Sequence, residues 1–263
     1  MVVPVRATGS HPAAAFLRVV LCTLIVAANA PAAAGAREQA PFHPSRLTSL
    51  GDAGQVVVVT SGSWSSSRAR LRTYERLASG TWVRRLGPVD TRLGRHGFSP
   101  ADRRRQGTST TPAGTFAIPW AFGTRSDPGT ALPYRQVDGN DWWPYDPRDP
   151  ATYNVWQSRR AATPSWRPGW AEDLSSYGRQ YRHAAVIAYN LPTGVHRSGG
   201  QEVADAPADT RRGGGIFLHV DRPGFTTGCV SVPQDDLEQV LRWLDPAKRP
   251  VIVMGPRSAI TRM

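Results

Sequence analysis

Hydrophobic residues in this chain fall mostly in short β-branched or alternating runs, and only once at helical spacing. Val56 to Thr60 is a run that fits a buried strand. Leu71 to Tyr74 and Thr81 to Val83 are weaker strand candidates, separated by the turn signal Ser79-Gly80. A Pro/Gly turn at Thr111 to Gly114 feeds a strand ending at Ile118, and regular structure resumes with Ala184 to Tyr189. In Ile216 to Val220 alternation puts Ile216, Leu218 and Val220 on one face and Phe217 and His219 on the other. After Pro233, Leu237, Val240, Leu241 and Leu244 recur as one stripe of a helix. Asp235 and Asp236 favour its positive end, Asp245-Pro246 stops it, and Val251 to Met254 is the last strand. Many strands with one helix predict a mainly β domain without βαβ alternation.

Two stretches break the pattern. Arg92 to Gly107 is polar, basic and Gly-containing, and reads as a loop. Gly123 to Trp170 carries Pro128, Pro133, Pro144, Pro147, Pro150, Pro164 and Pro168 among Trp142, Trp143, Trp156, Trp166 and Trp170. That proline density excludes regular helix or central strand. Its aromatics imply order, as a lid or wall of a site or as an irregular segment packed on the domain.

The start reads as an export signal. Arg6 and Arg18 precede an apolar run from Val19 to Ala28, and small residues follow at Ala32 to Ala36, with cleavage expected after Ala34 or Ala36. Asn29 and Pro31 break the run well short of the ~20 residues of a membrane span. Membrane attachment is expected only if this signal stays uncleaved. The expected organisation is a signal over 1–36, a short linker over 37–50, one main domain over 51–256 and a tail over 257–263. The expected location is secreted or in the cell envelope.

Composition adds a charge bias. The 263 residues hold 32 basic and 20 acidic side chains, a net +12 in which Lys248 is the only lysine. Such a surface favours polyanions or carboxylate-rich partners. No Cys/His metal pattern or nucleotide-binding glycine loop accompanies the charge, so neither nucleic acid nor a metal is expected as partner.

Of two cysteines, Cys22 lies inside the apolar leader, which leaves Cys229 alone in the exported protein. An unpaired thiol in an oxidising compartment is a candidate reactive group. It follows a strand that delivers His219 and a Thr226-Thr227-Gly228 turn that presents it. Free cysteine at pKa ~8.5 is largely protonated at neutral pH, so thiol catalysis needs a base such as His219 to activate the thiolate. It also needs backbone N–H donors for the oxyanion, and Gly228 lets the backbone approach a carbonyl closely.

The arrangement resembles the signature of the L,D-transpeptidases, peptidoglycan-remodelling cysteine enzymes with a strand His followed by a Ser/Thr-x-Gly-Cys turn. Thr111-Pro112-Ala113-Gly114-Thr115-Phe116 is similar to that family's T-P-x-G-x-F segment, and the layout from Tyr189-Asn190 to Pro256 is similar too. The resemblance covers roughly residues 50 to 256. It implies a β-sandwich or barrel with the C-terminal helix packed near the active-site turn. It assigns Cys229 as nucleophile, His219 as proton donor and acceptor, and the Val220 carbonyl as the group orienting the imidazole. Thr226 matches the Ser/Thr of the signature, and the N–H groups of Thr227, Gly228 and Cys229 match the oxyanion hole. The implied substrates are peptidoglycan stem peptides, with carbapenem-type β-lactams as covalent inhibitors and no cofactor. Two departures stand out: Ser231 occupies the place of a frequent Arg or Asn, and the His-to-Cys interval is short. Arg211, Arg212 or Arg222 are candidates to replace the missing positive charge.

A sortase is the nearest rival enzyme, but it would place an arginine soon after the cysteine, and here the first is Arg242. Papain-like order is excluded, since no His follows Cys229. A non-catalytic wall-binding module would use the Trp-rich stretch and the arginines, and leave Cys229 and His219 without a role.

Overall fold

A computed structural model describes residues 42–158 and 163–263. The expected signal segment, 1–36, and Cys22 with it lie outside the described residues. The strands are β1 (Gln55–Ser61), β2 (Arg68–Arg76), β3 (Trp82–Arg92), β4 (Phe98–Pro100), β5 (Thr111–Ala117), β6 (Ala121–Gly123), β7 (Tyr134–Gln136) and β8 (Asp141–Pro144). They continue as β9 (Gln157–Ser158), β10 (Ala171–Asp173), β11 (Ala184–Val186), β12 (Thr193–Ser198), β13 (Gln201–Ala206), β14 (Phe217–Val220), β15 (Val230–Val232) and β16 (Val251–Pro256). The one α-helix among the described residues is α1 (Gln234–Trp243).

The molecule is mainly β, as the hydrophobic pattern predicts. Eleven strands form one sheet in the order β4-β5-β16-β1-β2-β3-β15-β14-β11-β6-β7. The all-buried run of β1 sits at its heart, antiparallel to β2 and parallel to β16. The alternating faces of these strands explain the layering. Val57, Val59, Leu71, Leu218, Val220, Val230, Val232, Ile252 and Met254 pack in one core with Leu237, Val240 and Leu241 of α1. On the opposite faces, Val56, Val58 and Val253 join Phe42 and Tyr74, while Phe217 and Cys229 join an aromatic cluster. The helix therefore packs against the back of the strands that carry His219 and follow Cys229.

Side chains on either side of the expected 51–256 domain pack against it. Phe42 and Leu47, in the expected linker, are buried, and the Tyr74 hydroxyl donates to the Phe42 carbonyl at 2.8 Å. In the expected tail, Ile260 is buried against the same cluster.

The proline-rich stretch contains more strand than expected. β8 is the middle strand of a three-stranded sheet, β10-β8-β9. Pro144 is tolerated because it closes β8, at the last position paired with β10. Its tryptophans are packed: Trp143 and Trp156 enter the cluster of Phe217 and Cys229, with Trp143 and Phe217 ring centroids 4.9 Å apart. The segment is thus a wall behind the thiol. Part of the expected Arg92 to Gly107 loop is strand β4, and the Gly/Pro-rich stretch before Gly213 holds the exposed hairpin β12–β13.

Candidate active site

Strands β14 and β15 run parallel, with Leu218 opposite Val230 and His219 opposite Ser231. Paired residues of parallel strands point to one face, so Phe217 and His219 share a face with Cys229 and Ser231. The connection between the strands is short and carries no helix. It is held by docking: Thr226 makes a parallel bridge to Gly94, its N–H donating to the Leu93 carbonyl and its own carbonyl accepting from Arg95 N–H, both at 3.0 Å. The T-P-x-G-x-F segment supports this from behind, because Thr111 Oγ1 accepts the Gly94 N–H at 2.9 Å. Gly94 has no room for a side chain, since a Cβ there would lie 2.3 Å from the Ser109 carbonyl oxygen.

The turn closes on itself. Thr226 Oγ1 donates to the Cys229 carbonyl at 2.6 Å and accepts from the Gly228 N–H at 3.1 Å. Gly228 adopts φ +150°, and a Cβ there would sit 2.8 Å from Arg104 Nη2 and 3.1 Å from the Thr110 carbonyl. The Gly228 N–H is therefore already engaged, unlike the free donor expected from the sequence.

His219 is buried, and its Nδ1 donates to the Val220 carbonyl at 2.8 Å, which leaves Nε2 as the unprotonated nitrogen of the neutral ring. The Cys229 thiol, 7% exposed, donates to the Gly215 carbonyl at 3.3 Å and accepts from the Phe217 N–H at 3.4 Å. Its hydrogen bonds run to this backbone rather than to His219. Burial pushes the thiol up to about 12, reinforced by the charge of Glu172 and opposed by the Phe217 N–H and Arg104. Burial likewise pulls the imidazole down to about 4, against the Val220 hydrogen bond. Burial thus favours a neutral thiol and a neutral imidazole at rest.

The surroundings explain why Gly215 can hold the thiol. Asn154 Oδ1 accepts from Gly215 N–H at 2.7 Å and from Trp143 Nε1 at 2.8 Å, and its Nδ2 donates to the Asn190 carbonyl at 2.7 Å. Asn190 in turn ties down the preceding loop, its Nδ2 reaching the Asp209 and Gly213 carbonyls at 2.9 and 2.8 Å.

The charges fall differently from expectation. Ser231 donates to Asp221, which is paired with Arg92 Nε at 2.8 Å, so this position braces the loop between the strands. Arg211 is tied to Asp209, Arg212 lies over the Tyr189 ring, and Arg222 is exposed. The cation whose field reaches the thiol is Arg104, 4% exposed behind Gly228, donating to the Thr110 and Arg212 carbonyls at 2.8 and 2.6 Å. It stands inside the run Arg103-Arg104-Arg105, which offers no local sign that one member turns inward. Among the described residues no group of three His, Cys, Asp or Glu side chains could hold a metal ion.

A mainly β scaffold that turns a lone thiol and a carbonyl-anchored imidazole onto one face is suited to acyl transfer through cysteine. The model of the YkuD family, the L,D-transpeptidase catalytic domain, matches residues 67–253, and the chain belongs to that family. The family consists of cysteine-dependent transpeptidases that act on peptidoglycan and are targeted by β-lactams. Neither the curated proteins nor the solved structures yielded a match.

Proposed function

We propose that this protein is an exported L,D-transpeptidase that acylates Cys229 with a peptidoglycan stem tetrapeptide and passes the acyl group to an acceptor amine. The observation that supports this most is the shared face of His219 and Cys229 on paired parallel strands, with the imidazole anchored by its own strand. The thiol rotates from the Gly215 carbonyl toward His219 Nε2 and attacks the carbonyl of the bond joining an L-centre to the terminal D-residue. His219 takes the thiol proton and delivers it to the departing amine, leaving a thioester. Two neutral partners suit this course, since the proton moves only as the sulfur attacks. The N–H groups of Thr227 and Cys229 face the developing oxyanion, and buried Arg104 adds positive charge behind them. An amine then resolves the thioester into a cross-link, or water does so and the outcome is carboxypeptidase activity.

A carbapenem tests the assignment. The folded protein should gain the mass of one drug molecule, mapped by digestion to the segment holding Thr226 to Val230. Cys229→Ala should abolish the adduct and turnover of defined muropeptides, and His219→Ala should slow acylation by about 10²-fold or more. A wild-type protein left unmodified by excess carbapenem would return the reading to a wall-binding module.

A further inference from the structure

The acyl-transfer scheme leaves a carboxylate near the thiol unused. Glu172, in β10, is crowded by protein yet keeps part of its surface accessible. Its Oε2 accepts from the Tyr181 hydroxyl at 2.7 Å. The Tyr181 ring stands edge-on to the His219 ring, centroids 5.6 Å apart, and to Phe217 at 5.7 Å. Glu172 is also near enough for its charge to act on the Cys229 sulfur. Three other sheltered carboxylates face cations: Asp146 meets Arg167, Glu75 meets Lys248 and Arg85, and Asp221 meets Arg92, whereas buried Asp141 is held by Trp156 and the Asp138 N–H. The Glu172 carboxylate faces a phenol, and Tyr181 is the one group that favours its charged form. Enclosing a carboxylate without a cation is unfavourable, and burial raises this one to about 7. A cation arriving from solution would relieve it.

Resting on the acyl-transfer reading, we propose that Glu172, held by Tyr181, receives the ammonium group of the acceptor amine and takes its first proton. The chemistry requires such a group. A cationic amine must lose one proton before its nitrogen can attack the thioester and a second as the amide forms. In the proposed step Glu172 carboxylate takes the first. The nitrogen lone pair then forms the C–N bond, the C–S bond breaks, and the second proton passes through His219 to the departing sulfur. Thioester, ammonium and carboxylate thus become amide, thiol and carboxylic acid, and the acid releases its proton to solvent. Water needs no ammonium site, so Glu172 biases the outcome toward transfer over hydrolysis.

The test uses the full chain, a synthetic stem tetrapeptide donor and two acceptors: Nα-acetyl-lysine, cationic at assay pH, and trifluoroethylamine, neutral there. The ratio of aminolysis to hydrolysis is read by mass spectrometry. Glu172→Gln should lower that ratio at least tenfold with the cationic amine and raise its apparent KM, and the deficit should narrow to less than threefold with the neutral amine. Tyr181→Phe keeps the ring on His219 but frees the carboxylate, and should lower the ratio in the same direction; it carries the test if Glu172→Gln fails to fold. Equal losses of aminolysis and hydrolysis, or a ratio unchanged in both variants, would overturn the acceptor assignment and leave acyl transfer standing. A wild-type protein that forms no acyl-enzyme at all would overturn the acyl-transfer reading itself.

Discussion

Asn154 is a test of whether the thiol is held by design of the backbone behind it. Its side chain is buried at 1% exposure and joins four partners: Trp143 Nε1, the Gly215 N–H, and the carbonyls of Tyr189 and Asn190. Asn154→Ala removes the acceptor of two buried donors, and each orphaned donor costs ~1–3 kcal/mol. The residue also sits at φ +61°, where asparagine is tolerated and alanine adds ~1 kcal/mol of backbone strain. A total near ~4–5 kcal/mol, at ~2–4 °C per kcal/mol for a domain of this size, predicts a melting drop of roughly 8–20 °C. Asn154→Gly loses the same hydrogen bonds without the strain, and should melt a few degrees above Asn154→Ala. Because Gly215 accepts the thiol of Cys229, both variants should also acylate with carbapenem about tenfold more slowly, about 1.4 kcal/mol of barrier. Differential scanning fluorimetry and intact-mass kinetics measure the two effects. A melting drop under 3 °C in Asn154→Ala, with unchanged acylation, would refute the clamp.

Gly228→Ala forces a Cβ to within 2.8 Å of Arg104 Nη2 and 3.2 Å of Ile216 Cδ1, so carbapenem acylation should fall by 10²-fold or more while Gly139→Ala, in open space and at an ordinary φ, retains the fold. With the thiol near 12 and the imidazole near 4, the acylation rate should be flat between about pH 6 and 8.5; a tenfold rise per pH unit, as thiolate attack requires, would reject the neutral pair. Stability should respond to His219 in one direction: its folded pKa lies below the ordinary 6.5, so its contribution is intact above pH 6.5 and is lost as pH falls toward about 4, by about 3 kcal/mol at most. Urea midpoints at pH 7 and pH 4.5, compared in wild type and His219→Gln, measure that loss.

How much of this was legible in the sequence depends on how far each feature reaches along the chain. The β1 run, the alternation of β14 and the stripe of α1 are local patterns, and the structure follows them. The hairpin β12–β13 escaped because β12 is exposed throughout and β13 is mostly half-buried or exposed, so no hydrophobic alternation marks it. β8 escaped for a different reason. Proline density argues against a central strand in general, but a sheet of three very short strands can end a strand on proline before the ladder needs its N–H.

The site divides along the same line. His219 and Cys229 were readable because they flank one short connection, and two adjacent strands convert that spacing into a shared face. The residues that set their chemistry come from elsewhere: Arg104 from a basic loop, Asn154 from the proline-rich wall, Glu172 from β10 and Tyr181 from the turn before β11. None stands in a motif, and each acts through a contact that exists only once the wall has folded over the sheet. The protonation state follows from that wall as well. The sequence supplies a cysteine and a base, and the burial of the thiol among Trp143, Trp156 and Phe217 disfavours an ion pair there. What the aromatic wall withholds in solvation it returns in discrimination, because a neutral thiol is protected from casual oxidants and alkylating agents and reacts where His219 can take its proton. Reactivity of Cys229 toward iodoacetamide should accordingly be far below that of a free thiol at the same pH, while its reactivity toward a carbapenem seated in the turn is not.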